Sequence, residues 1–345
     1  MNSTDLLTQP FDQYQRYTVI AQVAGLVRAH LDQPHLRALD VGGFFRSRRG
    51  MGTLPLVRFL PQDDVFAVDL VAESLPNYAL ASGLSLPFGD RAFDLVASCD
   101  TLEHIQPPSR SAFVDELLRV TRRYLVITTP VANPLTDAAE RILHEHIAAH
   151  GGHSRELQEH LDHPLPSLDK LRAQLAKRGL EAVDLADGYL PHWLTMMLIK
   201  HTPGQSLDFH LELDRFYNRY FSPNDRREPA YRHVLIIAQA GNEALLPTIA
   251  ESFRPTEAPL SSPDLGFASD LICLLNLSQE MTWAEIVQQI DRQLVEAHAR
   301  SASLEAENAR LRKLVAAYEQ GRFMRLMRWL QHQRGRFSWQ GNIHG

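Results

Sequence analysis

LDVGGFFRSRRGMG, Leu39 to Gly52, begins as a nucleotide-binding turn and then departs from one. An apolar run ends in an acid and two glycines, as a strand does where it opens into a ligand loop. Two phenylalanines and three arginines follow. The dinucleotide fingerprint G-x-G-x-x-G needs its second glycine where backbone approaches pyrophosphate and its third where helix meets strand. Counted from Gly42, those positions hold Phe44 and Ser47, so NAD and FAD fit poorly. No G-K-[ST] follows, which removes a phosphate-cradling P-loop. A strand that simply ends in a glycine turn stays open on this stretch alone.

Outward from the turn, strand and helix signals alternate. LRALDV, DVFAVDL, FDLVASC and RYLVITTPV read as short buried strands, and YRHVLIIAQA restores the strand pattern near residue 231. YTVIAQVAGLVRAHL carries apolar residues at helical spacing, and RSAFVDELLRVTRR does so through Phe113, Leu117, Leu118 and Val120. Strands alternating with helices specify an α/β fold: a Rossmann-like, doubly wound, mostly parallel sheet with ligands at the carboxyl ends of its strands. The expected domain spans 1–242, with a mostly helical lid insertion near 137–200.

The acids then narrow the ligand. Asp40, just before the turn, repels phosphate but suits a ligand carrying an ammonium and a sulfonium. Asp69, ending the second strand, suits a pair of ribose hydroxyls. Ser82 to Ile105 follows as SGLSLPFGDRAFDLVASCDTLEHI. With Leu86, Pro87, Phe88, Asp90, Phe93, Asp94, Leu102, Glu103 and His104 in that order, it closely resembles the class I S-adenosylmethionine-dependent methyltransferases, specifically the type 11-like branch. The resemblance covers roughly residues 10 to 240. It implies S-adenosyl-L-methionine as cofactor, with Asp40, Gly42 and Gly43 at its methionine end and Asp69 and Leu70 at its ribose. Ser82, Gly83 and Leu84 would flank the adenine, and Cys99 and Asp100 would border the sulfonium. Two departures stand out. The family loop G-x-G-x-G has Phe44 and Arg46 here, and the Asp40–Asp69 spacing exceeds the ~20 residues of a short unit, so the loop carries an insertion. Ser82 replaces the acid often found on the adenine amino group.

Methyl transfer from a sulfonium is an in-line displacement that needs alignment, exclusion of water and, for a hydroxyl acceptor, removal of a proton. His104 and His160 are the candidate catalytic residues, with Glu159 beside the latter; His104 as a mere cap of its turn is the competing reading. His146 and His150 share one helical face, but no cysteine accompanies them and H-E-x-x-H is absent, so no metal is expected.

Composition bounds the rest. The chain has 345 residues, 44% hydrophobic and 22% charged, which predicts an ordinary soluble protein of about two domains. Neither a membrane span nor a signal peptide is legible, so a cytoplasmic location is expected. The two cysteines, Cys99 and Cys273, read as reduced thiols. A net charge of -6 disfavours nucleic acid as partner. A Pro-rich linker is expected over 243–278. From Trp283 a heptad seam follows: Trp283, Ile290, Ala297, Leu304, Leu311 and Tyr318 at d, Val287, Leu294, Ser301, Asn308 and Val315 at a. It predicts a coiled coil over 279–320 and a homo-oligomer. Residues 321–345 form a basic amphipathic tail, suited either to peripheral contact with the inner face of a membrane or to pairing with acids. By analogy with relatives that join such a domain to a coiled coil, the expected acceptor is a sugar hydroxyl in bacterial surface-glycan (polysaccharide) assembly. An inactive methyltransferase-like scaffold, or a methyltransferase of a protein or small metabolite, is the alternative.

Overall fold

The computed structural model describes residues 6–46, 50–254, 270–274 and 283–319. It divides into two units, Met1–Glu280 and Met281–Gly345. In the first, α1 (Phe11–Leu31) leads into β1 (Arg37–Val41). A hairpin of β2 (Phe45–Arg46) and β3 (Gly52–Thr53), a turn of helix α2 (Leu56–Phe59), β4 (Asp64–Asp69) and β5 (Tyr78–Leu80) follow. Next come β6 (Phe93–Cys99), α3 (Arg110–Val120) and β7 (Thr121–Pro130), then α4 (Pro134–Ala149), α5 (Arg155–Asp162) and α6 (Leu168–Lys177). The unit continues through β8 (Ala182–Tyr189), α7 (Leu190–Lys200), α8 (Leu207–Tyr220), β9 (Ala230–Ala238) and α9 (Leu246–Ser252).

Seven strands form one sheet in the order β5-β4-β1-β6-β7-β9-β8. The pairings from β5 across to β7 are parallel, while β9 runs antiparallel between β7 and β8. The strands bury both faces, as a sheet covered by helices must. Along β6, Leu95, Ala97 and Cys99 face the core built with α1 and α9, and Val96 faces the core built with α3 and α6. A third apolar cluster, including Leu143, Leu157, Trp193 and Leu213, lies among α4, α5, α7 and α8. Because β9 is antiparallel, its first residues meet the end of β7, with Arg232 opposite Pro130. The cluster takes in Tyr231 from that end, so these helices stand beside the carboxyl ends of the parallel strands.

Two expectations change. The 137–200 segment is not simply a helical lid: α6 flanks the sheet through Leu171 and Leu175, and β8 adds an edge strand. The linker does not begin at 243. Leu245, Leu246, Ile249 and Phe253 are buried in the first core cluster. Their helical spacing has a proline, Pro247, only in the first turn, where a missing N–H breaks no bond. Residues 270–274 are also helical, with Leu274 buried. Residues 255–269 and 275–278 of the expected linker lie outside the described residues.

In the second unit one helix, Trp283–Glu319, runs for 37 residues. Its seam residues Leu294, Leu304 and Leu311 are exposed. The arginine-rich stretch from Gly321 lies outside the described residues. Among the described residues no helix is long and apolar enough to cross a membrane.

Candidate active site

An open α/β sheet leaves a crevice where the strand order reverses, at the carboxyl ends of the strands. Here that point lies between β1 and β6. Every residue the sequence assigned to the cofactor falls at this edge: Asp40, Gly42 and Gly43 at the end of β1, Asp69 and Leu70 at the end of β4, Ser82, Gly83 and Leu84 just after β5, and Cys99 and Asp100 at the end of β6.

The turn after β1 is built around glycine for reasons of space. Gly42 has φ +82, and a Cβ there would sit 2.2 Å from Thr101 Oγ1. A Cβ on Gly43 would sit 2.3 Å from Asp40 Oδ2. Phe44, where the dinucleotide fingerprint has glycine, packs its ring 5.6 Å from Tyr78. Arg46 lies over Phe44 and pairs with Glu73 at 3.1 Å. The expected insertion is thus the β2–β3 hairpin, with Phe45 opposite Thr53 and Arg46 opposite Gly52.

Asp40 is 1% exposed; its Oδ2 accepts from the Tyr17 hydroxyl at 2.9 Å, and its Oδ1 is buried with no hydrogen-bond partner. Burial pushes this carboxyl up to about 7, against the Tyr17 hydrogen bond and the Arg16 charge that favour ionisation. An orphaned carboxylate oxygen beside a glycine turn fits a ligand that brings positive charge. Asp69 accepts from the Leu70 N–H at 2.7 Å and the Phe44 N–H at 3.3 Å. A carboxylate has about four acceptor positions, so two remain for ribose hydroxyls. Leu70 is 73% exposed, an apolar side chain left open beside that acid. Ser82 Oγ accepts from the Leu84 N–H at 3.2 Å, and a Cβ on Gly83 would strike the Phe113 ring at 2.3 Å. The residues present therefore fit S-adenosylmethionine.

Asp100, at the end of β6, is also the anchor of an ion cluster. It takes φ +47, and its Oδ2 accepts from Arg16 Nη1 at 2.6 Å and Arg232 Nη2 at 2.8 Å. Its Oδ1 accepts from Thr128 Oγ1 and Arg232 Nε, each at 3.2 Å. Burial opposes the charge, but the two guanidiniums outweigh it and hold the carboxyl below the ordinary range. This side chain anchors α1 and β9 to the end of β6. Cys99 is buried, and burial pushes its thiol up, so it remains a neutral wall.

Beyond Asp100 a 3-10 turn, Leu102–His104, presents the residues expected to meet the acceptor. His104 Nδ1 lies 2.9 Å from Glu159 Oε2, and His160 Nδ1 lies 2.8 Å from Glu140 Oε1. The two rings are 5.0 Å apart, so residues 56 positions apart in sequence (160 minus 104) form one site. Burial lowers the His104 pKa, and the neighbouring His160 charge lowers it further. At His160 burial also acts downward, but the Glu140 hydrogen bond and charge prevail and raise it. Sequence reading named Glu103 only as a motif residue, with no role, and passed over Glu140, Arg16 and Arg232. Glu103 is 4% exposed and accepts from Thr129 Oγ1 at 2.9 Å; burial and the nearby Asp100 push its carboxyl up to about 8. Glu140 also accepts from the Tyr231 hydroxyl at 2.9 Å. An acid on the buried stripe of a helix was the available signal for Glu140. The His146 and His150 rings do lie together, centroids 4.5 Å apart and tilted, but His150 Nδ1 is 2.8 Å from the His146 carbonyl and neither joins the site.

Residues 49–126 match a family model described as a methyltransferase domain. No curated protein matches the chain. Among solved structures it is similar to the YcgJ protein of Bacillus subtilis, at 16% identity over 63% of this chain and 97% of that one, TM-score 0.37. A SAM-dependent methyltransferase from Archaeoglobus fulgidus shows 17% identity over 63% and 93%, TM-score 0.36. The magnesium protoporphyrin IX methyltransferase of Synechocystis PCC 6803, solved with bound SAM, shows 15% over 66% and 80%, TM-score 0.35.

Asp40 makes the site pH-sensitive in a defined sense. With a carboxyl near 7 in the empty site, a positively charged cofactor favours the ionised form, so binding releases a proton. Affinity for S-adenosylmethionine should rise roughly 8-fold from pH 6 to 7.5 as the ionised fraction grows, and Asp40→Asn should flatten the profile. Stability of the empty protein runs the other way. A carboxyl raised above its unfolded value loses stabilisation as pH rises from about 4 to about 7. Calorimetric titrations and melting curves across this range read both; a flat wild-type binding profile would show that Asp40 does not face the cofactor's charge.

Residues 49–126 thus resemble a methyltransferase domain, and the residues at the crevice fit S-adenosylmethionine as its cofactor.

Proposed function

We propose that this enzyme O-methylates a sugar hydroxyl in the assembly of a bacterial surface glycan. The observation that carries the reading is the pair of imidazoles, His104 and His160, each held through Nδ1 by a carboxylate, Glu159 of α5 and Glu140 of α4 respectively. When bound, S-adenosylmethionine supplies an electrophilic methyl group. Asp69 would hold its ribose and Asp40 its charged methionine end, with Ser82, Gly83 and Leu84 beside the adenine.

In the ion-free protein His104 is the proton acceptor for the hydroxyl. Its lowered pKa keeps the ring neutral near pH 7. The Glu159 contact fixes the tautomer with Nε2 as the basic nitrogen and stabilises the imidazolium once formed. The acceptor oxygen forms its bond to the methyl carbon as the C–S bond breaks, and its proton resides on His104. His160 is a positioning residue, held by Glu140 beside it. A wall of Glu103, Glu159, His104 and His160 supports a hydroxyl-rich acceptor, since sugars are recognised through many directed hydrogen bonds. The long helix with its exposed leucine seam supports assembly of copies through a coiled coil. The basic tail would bring the enzyme to lipid-linked acceptors.

Incubation with methyl-labelled S-adenosylmethionine and panels of glycans, peptides and small metabolites tests the acceptor. Label on a sugar oxygen is expected, with His104→Gln lowering kcat about 10²- to 10⁴-fold while cofactor affinity is kept. Label only on peptides or metabolites would overturn the glycan reading. Sedimentation of the full chain should show an oligomer that Leu304→Asp with Leu311→Asp reduces to monomer; a monomeric wild type would refute the coiled coil.

A further inference from the structure

Two imidazoles and a buried carboxylate converge at the acceptor side of the crevice in a way proton transfer alone does not require. One possible ligand atom from each of Glu103, His104 and His160 lies within 4.8 Å of the other two. Around an ion with bonds of 2.0–2.2 Å, ligand atoms stand about 3 to 4 Å apart, so a small inward movement of side chains completes the arrangement. We propose that Glu103, His104 and His160 bind a divalent transition-metal ion of the zinc class.

The outer contacts are those a metal site needs. Each imidazole gives Nδ1 to a carboxylate, His104 to Glu159 at 2.9 Å and His160 to Glu140 at 2.8 Å. Such partners fix the tautomer, orient the ring and leave Nε2 for the ion. His160 Nε2 is buried without a hydrogen-bond partner, and its side chain is 6% exposed. Whether protonated or not, that nitrogen is left unsatisfied by the protein itself; an ion satisfies it. Glu103 engages Oε2 with Thr129, so a carboxylate oxygen remains to ligate.

Charge points the same way. Glu103 and Glu140 are both buried, and among the described residues neither pairs with a lysine or arginine. Arg110 donates Nη2 to the Glu103 carbonyl at 2.9 Å but makes no ion pair with its carboxylate, and Arg16 and Arg232 are taken by Asp100. Two nitrogen ligands and one oxygen suit a borderline ion such as zinc, cobalt or iron rather than calcium or magnesium. Three protein ligands leave positions open, as catalytic rather than structural sites do.

The catalytic consequence rests on the methyltransferase reading, whereas binding of the ion does not. An ion here would present an open position to the acceptor hydroxyl and ease loss of its proton. In the ion-loaded protein His104 then serves as ligand, and the proton leaves to Glu159 or to water. The bonds made and broken in methyl transfer are unchanged.

The direct test uses the full, untagged chain stripped with chelator and titrated with Co2+ and Zn2+. Equilibrium dialysis gives the stoichiometry, and visible absorption reports the Co2+ environment. One equivalent per chain is expected, competed by Zn2+. His160→Gln and Glu103→Gln should lose it, and Glu140→Gln should bind about 10- to 100-fold more weakly. His146→Ala with His150→Ala should leave it unchanged. S-adenosylhomocysteine binding and melting curves identify which variants remain folded. No saturable equivalent in the folded wild type, or retention in folded His160→Gln, overturns the site. Methyl transfer that proceeds without bound ion would leave the proposed function intact, and ion binding without methyl transfer would leave the metal site intact.

Discussion

Two guanidiniums close on one carboxylate at the end of the central strand. Arg16 from α1 and Arg232 from β9 are buried, and Asp100 just beyond β6 is nearly so; its carboxylate oxygens lie 2.6 to 3.2 Å from their guanidinium nitrogens. Taking such charges out of water is expensive, and removing one partner from a buried cluster typically costs about 3–5 kcal/mol. The arrangement is therefore all-or-none. It ties the first helix and an antiparallel strand to the switch point of the sheet, and it holds Asp100 in the left-handed region. That conformation directs the chain into the 3-10 turn that carries Glu103 and His104. Positioning of the acceptor wall thus depends on the ion cluster that immediately precedes it in the chain.

The same small volume sorts its carboxylates by environment. Asp100, between two arginines, stays ionised. Asp40 and Glu103, both buried without such partners, are pushed up to about 7 and about 8. The first has an orphaned oxygen at the cofactor turn, and the second faces two imidazoles. Each is a place where the empty protein lacks positive charge and a ligand can bring it. Desolvation without a built-in counter-ion is the shared physical signature of the two candidate binding positions.

Much of this was legible in sequence because local rules and the global fold agree. Strands β1, β4, β6, β7 and β9 appear as apolar runs, and Asp40, Asp69 and Cys99 fall at strand ends because those ends form the crevice. The strand β8 was not legible: Ala182–Tyr189 is only partly buried along most of its length, so its periodicity is diluted by polar residues. The helix α9 was obscured by prolines, although Leu246, Ile249 and Phe253 keep helical spacing. Arg16 and Glu140 sit on the buried sides of otherwise ordinary helices. A charge on an apolar stripe is a weak local hint, and only the fold supplies the partners that distinguish it from a solvated charge. His104 and His160 were separately visible, but their proximity belongs to the packing of α5 against the turn after β6. The heptad seam is plain in sequence, and its helix forms; the partner that would cover it is another matter.

The central claim is that the crevice between β1 and β6 holds S-adenosylmethionine through Asp69. Calorimetric titration of the purified full chain with S-adenosylmethionine and S-adenosylhomocysteine, beside Asp69→Ala, tests it most directly. One-to-one binding that the folded variant loses is the expected result. Equal binding by wild type and folded Asp69→Ala would contradict the placement, and no binding by the folded wild type would contradict the cofactor itself.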